Sequence, residues 1–331
     1  MTESWPCPAL REFELGPRTT LRVGGTVAWF LEPATPDAFV EAWHAALERG
    51  FTPRVLGGGA NLLVPDGRLP GVVITTARMG RVFRPGRCED ADWNDPRQGD
   101  PSTGEGAEER AELVAWAGMP LPGLVRVARE LGWSGLEGLV GVPGHLGGGV
   151  AMNAGGRWGE MWDVVETVRV LTTDGEVEEC SRSACEPVYR DGNLGGAVVL
   201  GAHLVLARGD ELEIKERMRQ YLAEKSAAQP VTERSCGCIF KNPDPELSGG
   251  RSAGRLVDEC GGKGRTHGDA IVSPKHGNFI VNRGRATAAD VLYLIEDLRS
   301  LVRDRTGIEL EDEVKRWNPV PDREAGGEVP A

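Results

Sequence analysis

Glycine clusters constrain this chain more than any other feature. Glycine supplies 46 of the 331 residues, roughly twice its usual share, and much of it falls in a few short stretches. Such clusters mark backbone brought close to something else, not loop filler. The first follows the apolar Val55-Leu56 and reads Gly57-Gly58-Gly59-Ala60-Asn61 before Leu62-Leu63. Consecutive glycines let backbone N–H groups converge on an anion, and an Asn amide adds a donor. The alternative is a flexible turn. The second cluster runs through Gly141, Val142, Pro143, Gly144, His145, Leu146, Gly147, Gly148 and Gly149 to Met152, Asn153 and Gly155. It is too glycine-dense for a stable helix and too apolar for a plain linker. Two such loops suit a long ligand with a pyrophosphate and a planar ring system.

Length allows two or three cores. Fifty acidic residues against 38 basic ones give a net charge of −12. That argues against a nucleic-acid partner, which needs a basic face, but not against one anionic cofactor held by backbone amides. Residues 1–14 contain no apolar h-region of a signal peptide, and no apolar run reaches bilayer length, so no membrane insertion is expected. Cys7, Cys88, Cys180, Cys185, Cys236, Cys238 and Cys260 read as reduced thiols of a cytoplasmic protein. Neither common nucleotide-loop motif is present. The histidines show no metal spacing and Cys236-Gly237-Cys238 has no second pair, so no metal is expected.

Strands are expected over 26–31, 54–56, 72–75, 113–117 and 196–206, with a hairpin of 164–171 and 177–179 around a Thr-Asp-Gly turn. Helices are expected over 36–50, 121–131, 211–226, 253–260 and 287–306. The 36–50 helix has Thr35 as N-cap and Pro36 at its first position, and 211–226 is charged enough to link two domains. Further strands are expected at 238–240, 270–272 and 279–281. Residues 84–112 are rich in Asp, Glu, Gly and Pro without an apolar run, and read as a solvated insertion. From Trp317 onward the chain reads as a loose tail.

Taken in order, the motifs resemble one family. Thr20-Leu21-Arg22-Val23-Gly24-Gly25, the two glycine loops, Leu136-Glu137-Gly138 and Tyr189-Arg190-Asp191 come first. Ser235-Cys236-Gly237-Cys238-Ile239-Phe240-Lys241-Asn242-Pro243, Ser273-Pro274-Lys275-His276-Gly277-Asn278-Phe279 and Leu310-Glu311-Asp312-Glu313-Val314 follow. The chain is similar over residues 19–316 to the UDP-N-acetylenolpyruvoylglucosamine reductases (UDP-N-acetylmuramate dehydrogenases). The short 243–253 stretch resembles their compact class, which lacks an extra tyrosine-bearing loop.

The resemblance implies an α+β fold: an FAD-binding domain of the vanillyl-alcohol oxidase type in residues 1–206, with subdomains at about 1–80 and 113–206. A C-terminal α+β substrate-binding domain would follow in 207–318, and a flexible tail in 319–331. It implies non-covalent FAD, although His145 sits in the flavin loop, and NADPH as reductant. The substrate would be UDP-N-acetylglucosamine enolpyruvate, reduced at C3, protonated at C2 and released as UDP-N-acetylmuramate. That is a step of peptidoglycan precursor synthesis in the cytoplasm, and so of cell-wall biogenesis, cell shape and division; a monomer is expected.

For FAD it implies Gly57, Gly58, Gly59, Ala60, Asn61, Gly141, Val142, Gly144, Gly148 and Gly155. Arg190 matches the catalytic arginine and Glu313 the catalytic glutamate; together they would stabilise charge pushed into the substrate carboxylate. Tyr189, Lys241, Asn242 and Lys275 would contact substrate, the lysines at its phosphates. The family usually has Ser-Ala-Gly-Ser where this chain has Ser235-Cys236-Gly237-Cys238, and the last serine protonates C2. Cys238 stands in its place, and a thiol is the stronger acid. Cys236 and Cys238 are close enough to suggest sensitivity to oxidation. Lys315 stands where Arg is frequent, and Gly192 where Ser is. Another flavin oxidoreductase, or a non-catalytic flavin-binding protein, would explain the glycine loops alone.

Overall fold

The computed structural model describes residues 4–85 and 111–318. Most of the acidic 84–112 segment, Cys88 and the tail 319–331 lie outside the described residues. Among the described residues, three sheets of four or five strands, three two-stranded pairings and flanking helices make up the fold, so the α+β expectation holds.

The first sheet orders its strands Ala9–Glu14, Thr26–Leu31, Arg68–Thr75, Arg54–Leu56. Its first pairing is antiparallel and the other two are parallel. The Pro36–Glu48 helix crosses between Thr26–Leu31 and Arg54–Leu56. It starts as the sequence predicts: Thr35 Oγ1 accepts from the Ala38 amide at 3.2 Å, and Pro36 occupies the first turn where no donor is needed.

The second sheet is antiparallel throughout, ordered Val177–Ser181, Val165–Leu171, Val198–Val205, Glu112–Trp116, Val82–Phe83. Its Val165–Leu171 and Val177–Ser181 strands are the expected hairpin. The Leu121–Glu130 helix buries Leu121, Leu124, Val125 and Ala128, an i, i+3, i+4, i+7 stripe. One expectation is corrected here. The second glycine loop does contain a helix, Leu146–Ala151. Packing overrides the poor propensity: Leu146, Gly149 and Val150 are buried. A Cβ at Gly147 would sit 3.0 Å from the Cβ of Ala117, and one at Gly149 3.2 Å from Leu121 Cδ1. The missing side chains let this helix lie close to its neighbours, which compensates for the entropy that glycine loses.

The third sheet runs Ser235–Cys238, Phe279–Asn282, Ala270–Val272, Thr266–His267, again antiparallel. The strand expected at 238–240 is displaced to Ser235–Cys238, because Ile239 and Phe240 turn to other partners. Ile239 O accepts from the Glu313 and Val314 amides, and Phe240 bridges Asp312. Helices Ala253–Glu259 and Ala288–Thr306 pack on this sheet; the longer buries Val291, Leu294, Ile295, Leu298 and Val302. Each such side chain contributes about 1.5–3 kcal/mol. Leu21, Val23 and Leu63, from the N-terminal part, share this core.

The Ala288–Thr306 helix also gets an anchor from far away in sequence. Its first turn carries a Thr287/Asp290 capping box, and both Asp66 oxygens accept from the Ala288 and Ala289 amides at 2.9 and 3.0 Å. A carboxylate satisfies two amides that helix geometry leaves open and faces the positive end of the helix dipole. Asp66→Ala is therefore expected to destabilise the protein by about 1–2 kcal/mol, read as a lower thermal midpoint. An unchanged midpoint would mean that the capping box alone suffices.

Candidate active site

The two glycine loops meet. A Cβ on Gly58 would lie 2.6 Å from Gly144 Cα, and one on Gly59 2.3 Å from the Arg18 carbonyl oxygen. No larger residue fits at either place. Together the loops wall a cavity of about 370 Å³, whose lining includes residues 57–61, Val142, Gly144, His145, Gly148 and Gly155. Gly57 and Gly148 have nothing within 4 Å of a built Cβ, so their backbones lie open to a ligand. Among the described residues, no acceptor is found for the amides of Gly57, Gly58, Gly59 and Ala60. Free amides on an open glycine wall are what a pyrophosphate requires.

Arg190, Cys238 and Glu313 line the same cavity. Each arrives by a different local device. Arg190 sits in a tight turn closed by hydrogen bonds in both directions between Val188 and Asp191. Its φ of +60° is left-handed, which costs a non-glycine residue roughly 1–2 kcal/mol. Cys238 ends the Ser235–Cys238 strand after Gly237, at φ +79°. Glu313 is placed by its amide's bond to Ile239 O, one residue beyond Cys238.

Arg190 Nη2 donates to Gly155 O at 3.1 Å, and its Nε lies 2.9 Å from Glu313 Oε1. The Nε–H is not aligned on that oxygen, so Nε and Nη1 are both buried without a hydrogen-bond partner. Buried unpaired donors cost about 1–3 kcal/mol each and call for a functional reason. His145 Nδ1, on the same wall, is likewise unpaired.

Burial sets the protonation states. It raises the Glu313 carboxyl above the usual range, against the opposing pull of Arg190 and Lys241. It pushes the Cys236 and Cys238 thiols up to about 12, and Glu313 adds to the effect on both. Cys236 is fully enclosed, whereas Cys238 is open to the cavity. Both are thiols at neutral pH. This burial opposes the sensitivity to oxidation expected from their spacing, because the thiolate is the reactive form. Burial also lowers the pKa of His145, keeping its imidazole neutral.

The expected substrate residues lie outside this wall. Tyr189 is half exposed, its ring 5.0 Å from the Arg190 guanidinium and its hydroxyl at the Asn242 backbone. Asn242 Oδ1 accepts from the Ala253 amide, at the start of the Ala253–Glu259 helix. Lys241 is near enough to act on Glu313. Lys275 Nζ donates to Ser226 O at 2.9 Å. Gly141 faces away from the cavity, toward Leu222 and Lys225. Asn61, expected to donate to the cofactor, donates instead to Glu313 O at 3.0 Å and to Met152 Sδ at 3.7 Å.

A family model described as the UDP-N-acetylenolpyruvoylglucosamine reductase C-terminal domain matches residues 229–317, and one described as an FAD binding domain matches residues 100–181. The chain is 38% identical over 301 residues to the reductase of Synechococcus elongatus, covering 90% of both. It is 39% identical over 303 residues to that of Deinococcus radiodurans, covering 90% of this chain and 92% of the relative. The crystal structure of the Thermus caldophilus reductase is similar with a TM-score of 0.71 at 35% identity, over 94% of this chain and 98% of that one. The chain belongs to the UDP-N-acetylenolpyruvoylglucosamine reductase family.

Two departures from the usual family residues now have surroundings. A Cβ on Gly192 would sit 2.4 Å from Val150 O, which accepts from Trp162 Nε1 at 2.9 Å. The glycine makes room for that buried bond. Lys315 lines the cavity, and its amide donates to Asn61 O. Trp317, the first residue of the expected tail, is instead held by its amide's bond to Leu63 O and also lines the cavity. Sequence reading passed over it because an aromatic before a Pro- and Gly-rich end carries no periodic signal.

At pH 7.5 a free thiol is roughly one-tenth thiolate, from a pKa near 8.5. A thiol held near 12 has on the order of a thousandfold less. Iodoacetamide should therefore label Cys236 and Cys238 in the folded protein at least about a hundredfold more slowly than a free thiol, and normally after denaturation. Mass spectrometry of timed samples reads this directly; rapid labelling of Cys238 in the native state would refute it.

Proposed function

We propose that the protein reduces UDP-N-acetylglucosamine enolpyruvate to UDP-N-acetylmuramate with FAD as cofactor and NADPH as reductant. One observation carries the reading: a buried arginine, paired through Nε with a raised carboxyl and with Nη1 unspent, shares a glycine-walled cavity with a neutral thiol. The two-electron chemistry from NADPH to the enolpyruvyl group is what bound FAD supplies.

The protein's own groups do the rest. Residues 57–60 offer free amides to the cofactor's pyrophosphate, and the second loop gives an open backbone for its ring system. Arg190 offers its Nη1 N–H groups to the substrate carboxylate, charged donors suited to an anion. As charge moves into that carboxylate, these preset donors stabilise it without reorganising. Glu313, with its pKa raised, can hold a proton and donate to the same charge. Cys238 Sγ holds the proton that C2 receives. A thiol held neutral is the competent form of a general acid, and it remains a stronger acid than the serine it replaces. Tyr189, Lys241 and Asn242 lie close to this end of the cavity and suit the nucleotide part of the substrate; the link from Lys275 to Ser226 makes it the weakest of the four candidates.

In this reading residues 1–206 form the FAD-binding part, 207–318 the substrate part and 319–331 a tail. The protein acts as a cytoplasmic monomer in peptidoglycan precursor synthesis, and so in cell-wall growth, shape and division.

The test is a two-step titration. Purified protein should be yellow, lose its visible flavin band to NADPH without oxygen, and regain it when the enolpyruvyl nucleotide is added. Bleaching without recovery on that substrate would point to a different flavin oxidoreductase. In stopped-flow traces, Cys238→Ala should leave bleaching by NADPH intact and slow recolouring by about 10²–10⁴-fold, the usual range for a lost general acid. Cys238→Ser should stay active. Recolouring of Cys238→Ala at the wild-type rate would remove Cys238 from the mechanism.

A further inference from the structure

The Glu211–Ala228 helix fully buries one apolar residue, Ile214, and packs Met218 against the core, so apolar packing anchors mainly its first half. A polar stripe holds it as well. Arg217, Tyr221 and Lys225 stand at i, i+4 and i+8 on one face, and each grips the chain next to the second glycine loop. Arg217 Nη2 donates to the buried Glu137 at 2.6 Å. The Tyr221 ring stacks on Trp158, with centroids 5.1 Å apart and planes at 20°. Lys225 Nζ donates to two backbone carbonyls, Gly138 O at 2.7 Å and Val140 O at 2.8 Å.

Those two carbonyls come immediately before Gly141 and Val142, where the loop turns into the cavity. Gly141, at φ +75°, lies under the same helix: a Cβ there would be 3.0 Å from Leu222 Cδ1. The far end of the loop meets the helix too. Glu224 pairs with Arg157 at 3.4 Å, and a Cβ on Gly138 would come within 2.3 Å of Trp158 O. At its C-terminal end the helix is tied to the third sheet's side of the molecule, since Lys275 donates to Ser226 O. The ammonium that joins helix to loop is therefore half-buried beside the Trp158 ring, 5.5 Å from its centroid, with both of its close oxygen partners on the loop.

We propose that Lys225 is a positioning residue for the flavin loop: its ammonium fixes the Gly138 and Val140 carbonyls and thereby sets how tightly FAD is held. Lys225 touches neither cavity nor reacting atoms; it acts through the backbone that leads into Val142 and Gly144, which do line the cavity. The ammonium sits where water is scarce, and burial lowers its pKa to about 8. Its charge is kept there at a cost, which the two charge-assisted bonds offset. A methionine at this position would keep the packing and lose both bonds.

This inference rests on the cavity being an FAD site, and the experiment separates the two. Apoprotein of wild type, Lys225→Met and Lys225→Arg is titrated with FAD, following flavin fluorescence and visible circular dichroism. Bonds from a charged donor are stronger than those between neutral groups. Lys225→Met is accordingly expected to bind FAD on the order of tenfold to a hundredfold more weakly, with an altered flavin dichroism. Lys225→Arg, which keeps charge and donors, should recover most of the affinity. A Lys225→Met dissociation constant and flavin spectrum equal to wild type would overturn the proposal, as would a loss that Lys225→Arg does not recover. If Lys225→Met does not fold, which far-UV dichroism of the apoprotein reports, Lys225→Gln takes its place in the same titration. Wild-type apoprotein that binds no FAD would overturn the reading of the cavity itself.

Discussion

The site depends on a short seam between two segments far apart in sequence. Asn61 donates through its side chain to Glu313 O and accepts through its own carbonyl from the Lys315 amide. Lys315–Arg316 then runs parallel to Leu62–Leu63. On the other side, the Glu313 and Val314 amides reach back to Ile239 O. The segment carrying Glu313 is thus clamped between the first glycine loop and the strand end that carries Cys238. Loss of this seam would leave the glycine wall, Glu313 and Cys238 with no fixed relation. A displacement of an ångström at such a site costs far more in rate than in stability.

Glycine works here as an instrument of distance. At residues 58 and 59 the backbone touches other backbone; at 57 and 148 it faces open space. The first kind lets the two loops meet and the second leaves room for a ligand. Sequence alone shows a cluster but cannot sort its members, because the sorting depends on partners far away in sequence, Arg18 for Gly59 and Gly144 for Gly58. The same limit explains the helix at Leu146–Ala151. Propensity counts its glycines as a penalty, while Ala117 and Leu121 need that very lack of side chains to come close.

Much of the fold was legible because its signals are local. The Thr35 cap, the Thr287 cap with Gly307 at the other end, and the apolar stripe of Leu121–Glu130 each specify their element without outside help. Membership of the cavity was legible through motifs, which gave Arg190, Cys238 and Glu313 together. What stayed hidden is what each polar side chain bonds. Asn61 donates to the Glu313 carbonyl, Asn242 accepts from the Ala253 amide, and Lys275 bonds the end of a helix. Donors and acceptors reveal their partners only in three dimensions. For the same reason Lys225, in a helix that reads as a charged linker, gave no sign of holding the flavin loop.

A single cause governs the protonation of the site. Removal from water raises Glu313, Cys236 and Cys238 and lowers His145, in each case by disfavouring the charged form. The cavity sets the Arg190 guanidinium, with Lys315 also in its lining, among groups whose charged forms burial disfavours. That is the arrangement an anionic substrate needs: a charge to meet its carboxylate and neutral acids to supply protons. It also accounts for how a cysteine can stand where a serine is usual. In a polar, solvated site a fraction of the thiol would be ionised at neutral pH and could not act as an acid. In this one the desolvation that serves the arginine also keeps the thiol protonated.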